Sequence, residues 1–284
     1  MVDIAESFNS NKPNGSQTLY TDAAEKVLNG TVPRRIDIIY SHGHLDHIGS
    51  TNRFIRYMER QYPRSRIVVW GTQESKEVIE KSVTDKAPIP DVIIGKRGRT
   101  LALGEGLSVN MWIVGGHTAS DLVIHIPRYE REVPIVYYVD VVFPGWSPTF
   151  NLAITNDVGS YIGAQKEVLK LDFEVFVGGH FVLGDRQSVA TNVAFAEDLV
   201  EAAKVAIAET SQEDFDAAGF KRFSDPDARE YGNPLFLVMT TFRQTQVDVC
   251  YRIMLEKWGC RIAGFDISGK GHCFTALAYI VTDY

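Results

Sequence analysis

The segment Ser41-His42-Gly43-His44-Leu45-Asp46-His47 places three imidazoles and one carboxylate within six consecutive positions, His42 to His47. Neutral imidazole nitrogens and carboxylate oxygens are the donors that zinc and related divalent ions take. Alternate residues of an extended loop point to one side, so His42 and His44 are expected to converge on one cation while Asp46 and His47 face a second. Further donors stand downstream: His117 in Gly116-His117-Thr118, Asp140, and His180 after Gly178-Gly179. Of the two remaining histidines, His125 lies mid-strand and His272 near the C-terminus, and both read as structural.

Ligands that converge need rigid elements beneath them. Ile36-Asp37-Ile38-Ile39-Tyr40 is a short β-branched run that predicts a buried strand delivering its end to the histidine cluster. A helix is expected over 48–62, closed by Pro63, then a strand over 67–70 and a helix over 72–82. Extended segments follow over 107–114, 122–126 and 135–139, and Asp140 ends the last of these. A helix over 161–171 leads to a strand over 174–177 that stops at Gly178-Gly179-His180, and helices are expected over 187–210 and 236–258. A polar stretch around Ser224-Asp225-Pro226-Asp227 separates those two helices. The pattern predicts a metal-binding domain over 1–210 and a helical appendage over 211–284, read as a lid or an oligomer interface because Phe236, Leu237, Met239, Phe242, Val247, Val249 and Met254 offer more apolar surface than one exposed helix tolerates.

The His-x-His-x-Asp-His run, followed in order by Gly116-His117-Thr118, Asp140 and Gly179-His180, resembles the signature of the metallo-β-lactamase superfamily over about residues 36–185. That resemblance implies an α/β fold, the four-layer αββα sandwich. It also implies that His42, His44 and His117 hold one metal, that Asp46, His47 and His180 hold a second, and that Asp140 bridges them. The ions implied are two divalent cations, zinc first, with iron or manganese as alternatives. Only 41 residues precede His42, where the superfamily has a glycine-rich hairpin, so the N-terminal half of the sandwich is expected to be abbreviated. Gly15-Ser16-Gln17-Thr18-Leu19-Tyr20-Thr21-Asp22 is the candidate remnant.

Two cations sharing a water lower its pKa toward neutrality and hold it as a hydroxide nucleophile, and one metal polarises the electrophilic oxygen, so the expected reaction is hydrolysis. Asp46 is expected to double as ligand and orienter of that hydroxide. The bridging carboxylate resembles the glyoxalase II and lactonase ligand set more than that of the antibiotic-degrading enzymes, which favours an ester, lactone or thioester over a β-lactam. The alternatives are a mononuclear iron dioxygenase and a non-catalytic metal-binding member. The apolar stretch Val141 to Phe150 reads as a pocket wall for an apolar portion of a small-molecule substrate, or equally as core beneath a loop.

A net charge of -7 with only short basic tracts disfavours nucleic acid as a partner. No long apolar run suggests a membrane span, and the polar N-terminus shows no secretory pattern, so the expected location is the cytoplasm. Cys250, Cys260 and Cys273 form no CxxC and are expected to be free thiols.

Overall fold

The computed structural model describes residues 1–5, 15–219 and 235–282, and the expected polar stretch at 224–227 lies outside them. The chain forms two compact units, one of residues 1–139 and 172–179, the other of residues 140–171 and 180–284.

The first unit holds two sheets. β1 (Arg35–Ile39), β2 (Arg66–Gly71) and β3 (Val92–Ile93) form a parallel sheet in that order. β4 (Arg99–Gly104), β5 (Leu107–Ile113), β6 (Leu122–Ile126) and β7 (Ile135–Tyr137) form an antiparallel run, and β8 (Val175–Val177) adds in parallel to β7. Period-two alternation sorts the side chains. Ile39, Val68 and Trp70 meet Leu101, Val109, Met111, Leu122 and Ile124 in the core between the sheets. Ile38, Tyr40 and Val69 point the other way, against Ile48, Phe54, Met58 and Ile79 from helices α2 (Leu45–Ile48), α3 (Thr51–Gln61) and α4 (Gln73–Lys81). Helix, sheet and sheet thus form three successive layers. β4 carries a single buried hydrophobe, Leu101, behind a cluster of charges, which is why its sequence gave little strand signal.

Residues 15–28 do not form the expected hairpin remnant. They form α1 (Gly15–Leu28), and no strand precedes β1 among the described residues. Met1 to Asp3 instead lie along β1, where Asp3 N–H donates to Ile39 O and Ile39 N–H donates to Met1 O, both at 2.9 Å. The first sheet is accordingly short, with its edge covered by this extended start.

The second unit is helical: α5 (Val158–Val168), α6 (Arg186–Glu209), α7 (Gln212–Ala217), α8 (Leu235–Trp258) and α9 (Phe265–Thr282). Asp185 and Ser188 form a capping box that starts α6. Phe195 on α6 makes edge contacts with Trp258, Phe265 and His272, so α8 and α9 pack on α6 through aromatic groups. Cys250 and Cys273 are not free thiols but form a disulfide between α8 and α9; only Cys260 is free. Their Cα atoms lie 5.8 Å apart although 23 residues separate them in sequence, a proximity set by helix packing and invisible to residue spacing. No described helix is long and apolar enough to cross a membrane.

His272 is fully buried, as a structural histidine should be, and burial pushes its imidazole down to about 4. An unfolded histidine titrates near ~6.5, so the unfolded chain takes up the proton first as the pH falls. The stability tied to the neutral ring is fully present above about pH 6.5 and is lost toward pH 4, up to roughly 3 kcal/mol. Urea unfolding at several pH values should show this acid slope in the natural chain and a shallower one in His272→Gln.

Candidate metal centre

Tyr40 continues the β1 pairing, its N–H donating to Trp70 O at 2.9 Å, and the chain then leaves the sheet at Ser41. Residues 41–43 form bends, and His44 alone is extended before the next turn. His47 and Ile48 both donate N–H to His44 O at 3.1 Å, which winds Leu45–Ile48 into the one-turn helix α2. The two-sided alternation expected for the loop is therefore replaced by bends, and the helical turn swings His47 back toward His42. Ring centroids stand 4.6 Å from His42 to His44, 4.8 Å to His47 and 5.1 Å to His117, with His44 and His117 4.8 Å apart. His44 Nδ1 and His117 Nε2 are 3.0 Å apart. Donor atoms of His42, His44 and His117 lie within 4.8 Å of one another, as do those of Asp46 and His47. His42, His47 and His117 are buried, His44 and Asp46 half-buried.

Groups that the sequence reading passed over hold these rings. Ser41 Oγ lies 2.9 Å from His42 Nδ1. Asp3 accepts the Ser41 N–H at 2.8 Å through Oδ1, and its Oδ2 stands 3.7 Å from His47 Nδ1. Asp121, almost wholly buried, accepts the N–H of His117 at 2.6 Å, the N–H of Thr118 at 2.7 Å and the Thr118 hydroxyl at 2.6 Å. The spacing Thr118-x-x-Asp121 is a turn signal that could have revealed this clamp. Nothing in the sequence marks Asp3, which acts across 38 residues. At the end of β8, Gly179 has a φ of 86°, and a Cβ there would lie 2.5 Å from Val139 Cγ1 and 3.2 Å from His47 Cε1. Only glycine lets the chain pass so close. His125 lies apart from the cluster, its Nε2 2.8 Å from Asp172 O.

In the second unit, Asp140 adopts a left-handed φ of 64°, and its Oδ1 lies 3.0 Å from His180 Nε2. Phe143 stacks on the His180 ring with centroids 6.2 Å apart. Below the turn, the Tyr161 hydroxyl donates to Val141 O at 2.5 Å, and Asn192 Nδ2 donates to Tyr161 Oη at 3.2 Å and to Gln165 Oε1 at 2.8 Å. Burial pushes the Tyr161 phenol well above its ordinary range, so it stays a neutral donor that fixes the backbone beside Asp140.

The donor chemistry fits divalent cations. Two nitrogens on one tetrahedral zinc, each at ~2.0–2.1 Å, stand roughly 3.3 Å apart. The 3.0 Å between His44 Nδ1 and His117 Nε2 is close to that, and His117 is oriented by a carboxylate that holds its backbone. These grouped histidines and aspartates could hold a divalent cation.

No protein-family model matches the chain. It is 25% identical over 118 residues to the hydroxyacylglutathione hydrolase GloC of Haemophilus influenzae, a match covering 38% of this chain and 50% of that protein. The chain thus spans half the length of the curated relative it matches. Among solved structures it is similar to a metallo-β-lactamase from Hirschia baltica, with TM-score 0.50 and 16% identity over 69% of this chain and 79% of the other. It is also similar to one from Pontibacter korlensis, with TM-score 0.49 and 18% identity over 69% and 81%. The chain has the metallo-β-lactamase fold, as the ordered histidines and aspartates imply.

Asp121→Ala should cost about 2 to 4 kcal/mol, because it strips a buried turn of three hydrogen bonds to one carboxylate. It should also lower metal retention by about tenfold or more, since His117 loses its anchor. Urea unfolding and a chelator competition check the two effects. A variant within about 0.5 kcal/mol of the natural chain would show that the clamp carries no stability.

Proposed function

We propose that this chain, which has the metallo-β-lactamase fold, is a hydrolase that uses two divalent cations, zinc first, to cleave an ester, lactone or thioester. The observation that carries the reading is the convergence of His42, His44, His47 and His117 at the strand ends of the first unit, with Asp46 beside His47. Asp140 and His180 are the first residues beyond Val139 and Gly179, and an added Cβ at Gly179 would touch both Val139 and His47. Within the second unit these two donors stand together, Asp140 Oδ1 3.0 Å from His180 Nε2. In this reading His42, His44 and His117 form one set, Asp46, His47 and His180 a second, and Asp140 serves both.

Bound there, a cation pair activates water near neutral pH and polarises the substrate carbonyl. His42 would coordinate through Nε2, because Ser41 engages Nδ1. Asp46 would orient the attacking water by accepting a hydrogen bond from it, and Asp140 would supply the negative charge shared by the two ligand sets. Asp3 and Asp121 keep the His47 and His117 segments in place while this happens. The GloC likeness, to a protein named for hydroxyacylglutathione hydrolysis, supports an acyl-transfer reaction of the thioesterase and lactonase kind, with β-lactam cleavage as a side activity. The helices of residues 211–284 are read as a lid or self-association surface, a role supported by the exposed Phe236 and Met239 on α8.

Elemental analysis of protein never exposed to chelator should give about two divalent ions per chain, and a value near zero would end the dinuclear reading. Asp140→Ala should keep about one ion, because two nearby cations repel once the shared negative charge is gone. Turnover across a panel of lactones, thioesters and esters should fall at least about a hundredfold. Two retained ions with near-normal turnover would remove Asp140 from the bridge.

A further inference from the structure

Within the second unit, the turn over 146–151 and helix α9 enclose a cleft of about 470 Å3. That size lies in the ordinary range of small-molecule sites, ~300–1,000 Å3. Although the chain has a net charge of -7, none of the described residues lining the cleft is ionisable. Trp146 and Phe181 form one wall, their rings nearly parallel at 9° with centroids 4.5 Å apart. Phe150 and Ile267, 72% and 87% exposed, flank the opening.

The backbone in and beside this wall is strained. Phe150, Leu152, Ala153, Ile154 and Phe181 all adopt left-handed φ values between 50° and 63°, a region that side-chain-bearing residues avoid unless their surroundings impose it. His272 from α9 holds the backbone at one of them, Leu152. Leu152 N–H donates to His272 Nδ1 at 2.8 Å, so the neutral ring carries its proton on Nε2, 2.9 Å from Ser147 Oγ. The Ser147 hydroxyl then faces Ser268 Oγ at 2.8 Å. Gly271 permits the approach of Asn151, whose Oδ1 would lie 2.2 Å from a Cβ at that position. The same proton placement rules out Ser147 and His272 as a nucleophile and base, since Nε2 already holds a proton and Nδ1 is engaged.

Aromatic contacts lead from the cleft to a proposed metal ligand: Trp146 to Phe181, Phe181 to Phe143 at 6.1 Å, and Phe143 to the His180 ring at 6.2 Å. We infer that the cleft takes the uncharged, aromatic or branched apolar portion of the substrate, and that a remote charge on that portion is rejected. None of the described lining residues can pair a buried charge, whereas a flat apolar group gains stacking and burial on Trp146 and Phe181. The inference rests on the hydrolase reading for the word substrate, but the cleft can be tested without turnover.

The test is a calorimetric titration of the full chain, as purified and again after chelation, with three probes: neutral 2-acetylnaphthalene, anionic naphthalene-2-sulfonate and cationic 2-naphthylmethylammonium. The neutral probe should bind saturably at one site per chain, at least about tenfold tighter than the sulfonate. Trp146→Ala should weaken it about tenfold, and Ile267→Glu, at an exposed position, should shift preference toward the cationic probe by about tenfold. Absence of saturable neutral binding, equal binding of the sulfonate, or indifference to both substitutions would overturn the inference. Probe binding in a chain that neither holds metal nor turns over esters would defeat the hydrolase reading alone, and metal with turnover but no probe binding would defeat this one alone.

Discussion

Four imidazoles crowded around one point tolerate very few arrangements. With His42 4.6 to 5.1 Å from three other rings, protonation of several at once would set like charges against one another in a buried space. Imidazole nitrogens brought this close are a donor set that could hold a divalent cation. The surrounding construction of the first unit follows from this constraint. The strand end of β1 supplies a rigid origin, the α2 turn bends His47 back, and buried carboxylates hold the segments that carry the rings.

Those carboxylates divide the labour by distance. Asp121 works locally, closing the turn that presents His117 with three short hydrogen bonds from neighbouring residues. Asp3 works across the chain, tying the extended N-terminus to Ser41 and lying beside His47. The short first sheet gains from the same contact, because residues 1–3 that lie along β1 also carry Asp3 to the cluster. The pairing of residues 1–3 with β1 and the placing of Asp3 beside Ser41 and His47 are thus parts of one arrangement.

The second unit applies the same strategy with different chemistry. Tyr161, Asn192 and Gln165 form a buried polar group that grips the backbone after Asp140, and His272 grips the left-handed turn that walls the cleft. In both places strain in the backbone is balanced by hydrogen bonds from residues of packed helices. The disulfide between α8 and α9 ties together the helices that pack on α6, one of which carries His272.

The candidate donor residues and their order were legible in the sequence, because ligand chemistry depends on residue type and on short covalent spacings that survive in any conformation. The strand beneath them was equally legible, since alternation of Ile38, Ile39 and Tyr40 between two cores needs only a period of two. His125 and His272 stand apart from the clustered donor residues in the sequence and read there as structural. What tertiary structure alone decided were relations between distant residues. Asp3 meets Ser41 across 38 positions, and Cys250 meets Cys273 because two helices pack. The fold also turned Gly15–Leu28 into a helix where a hairpin remnant was expected, and replaced the expected loop alternation with bends and a helical turn. Such partnerships carry no periodicity and no fixed spacing; they exist only once burial has brought their elements together, so no local pattern can announce them.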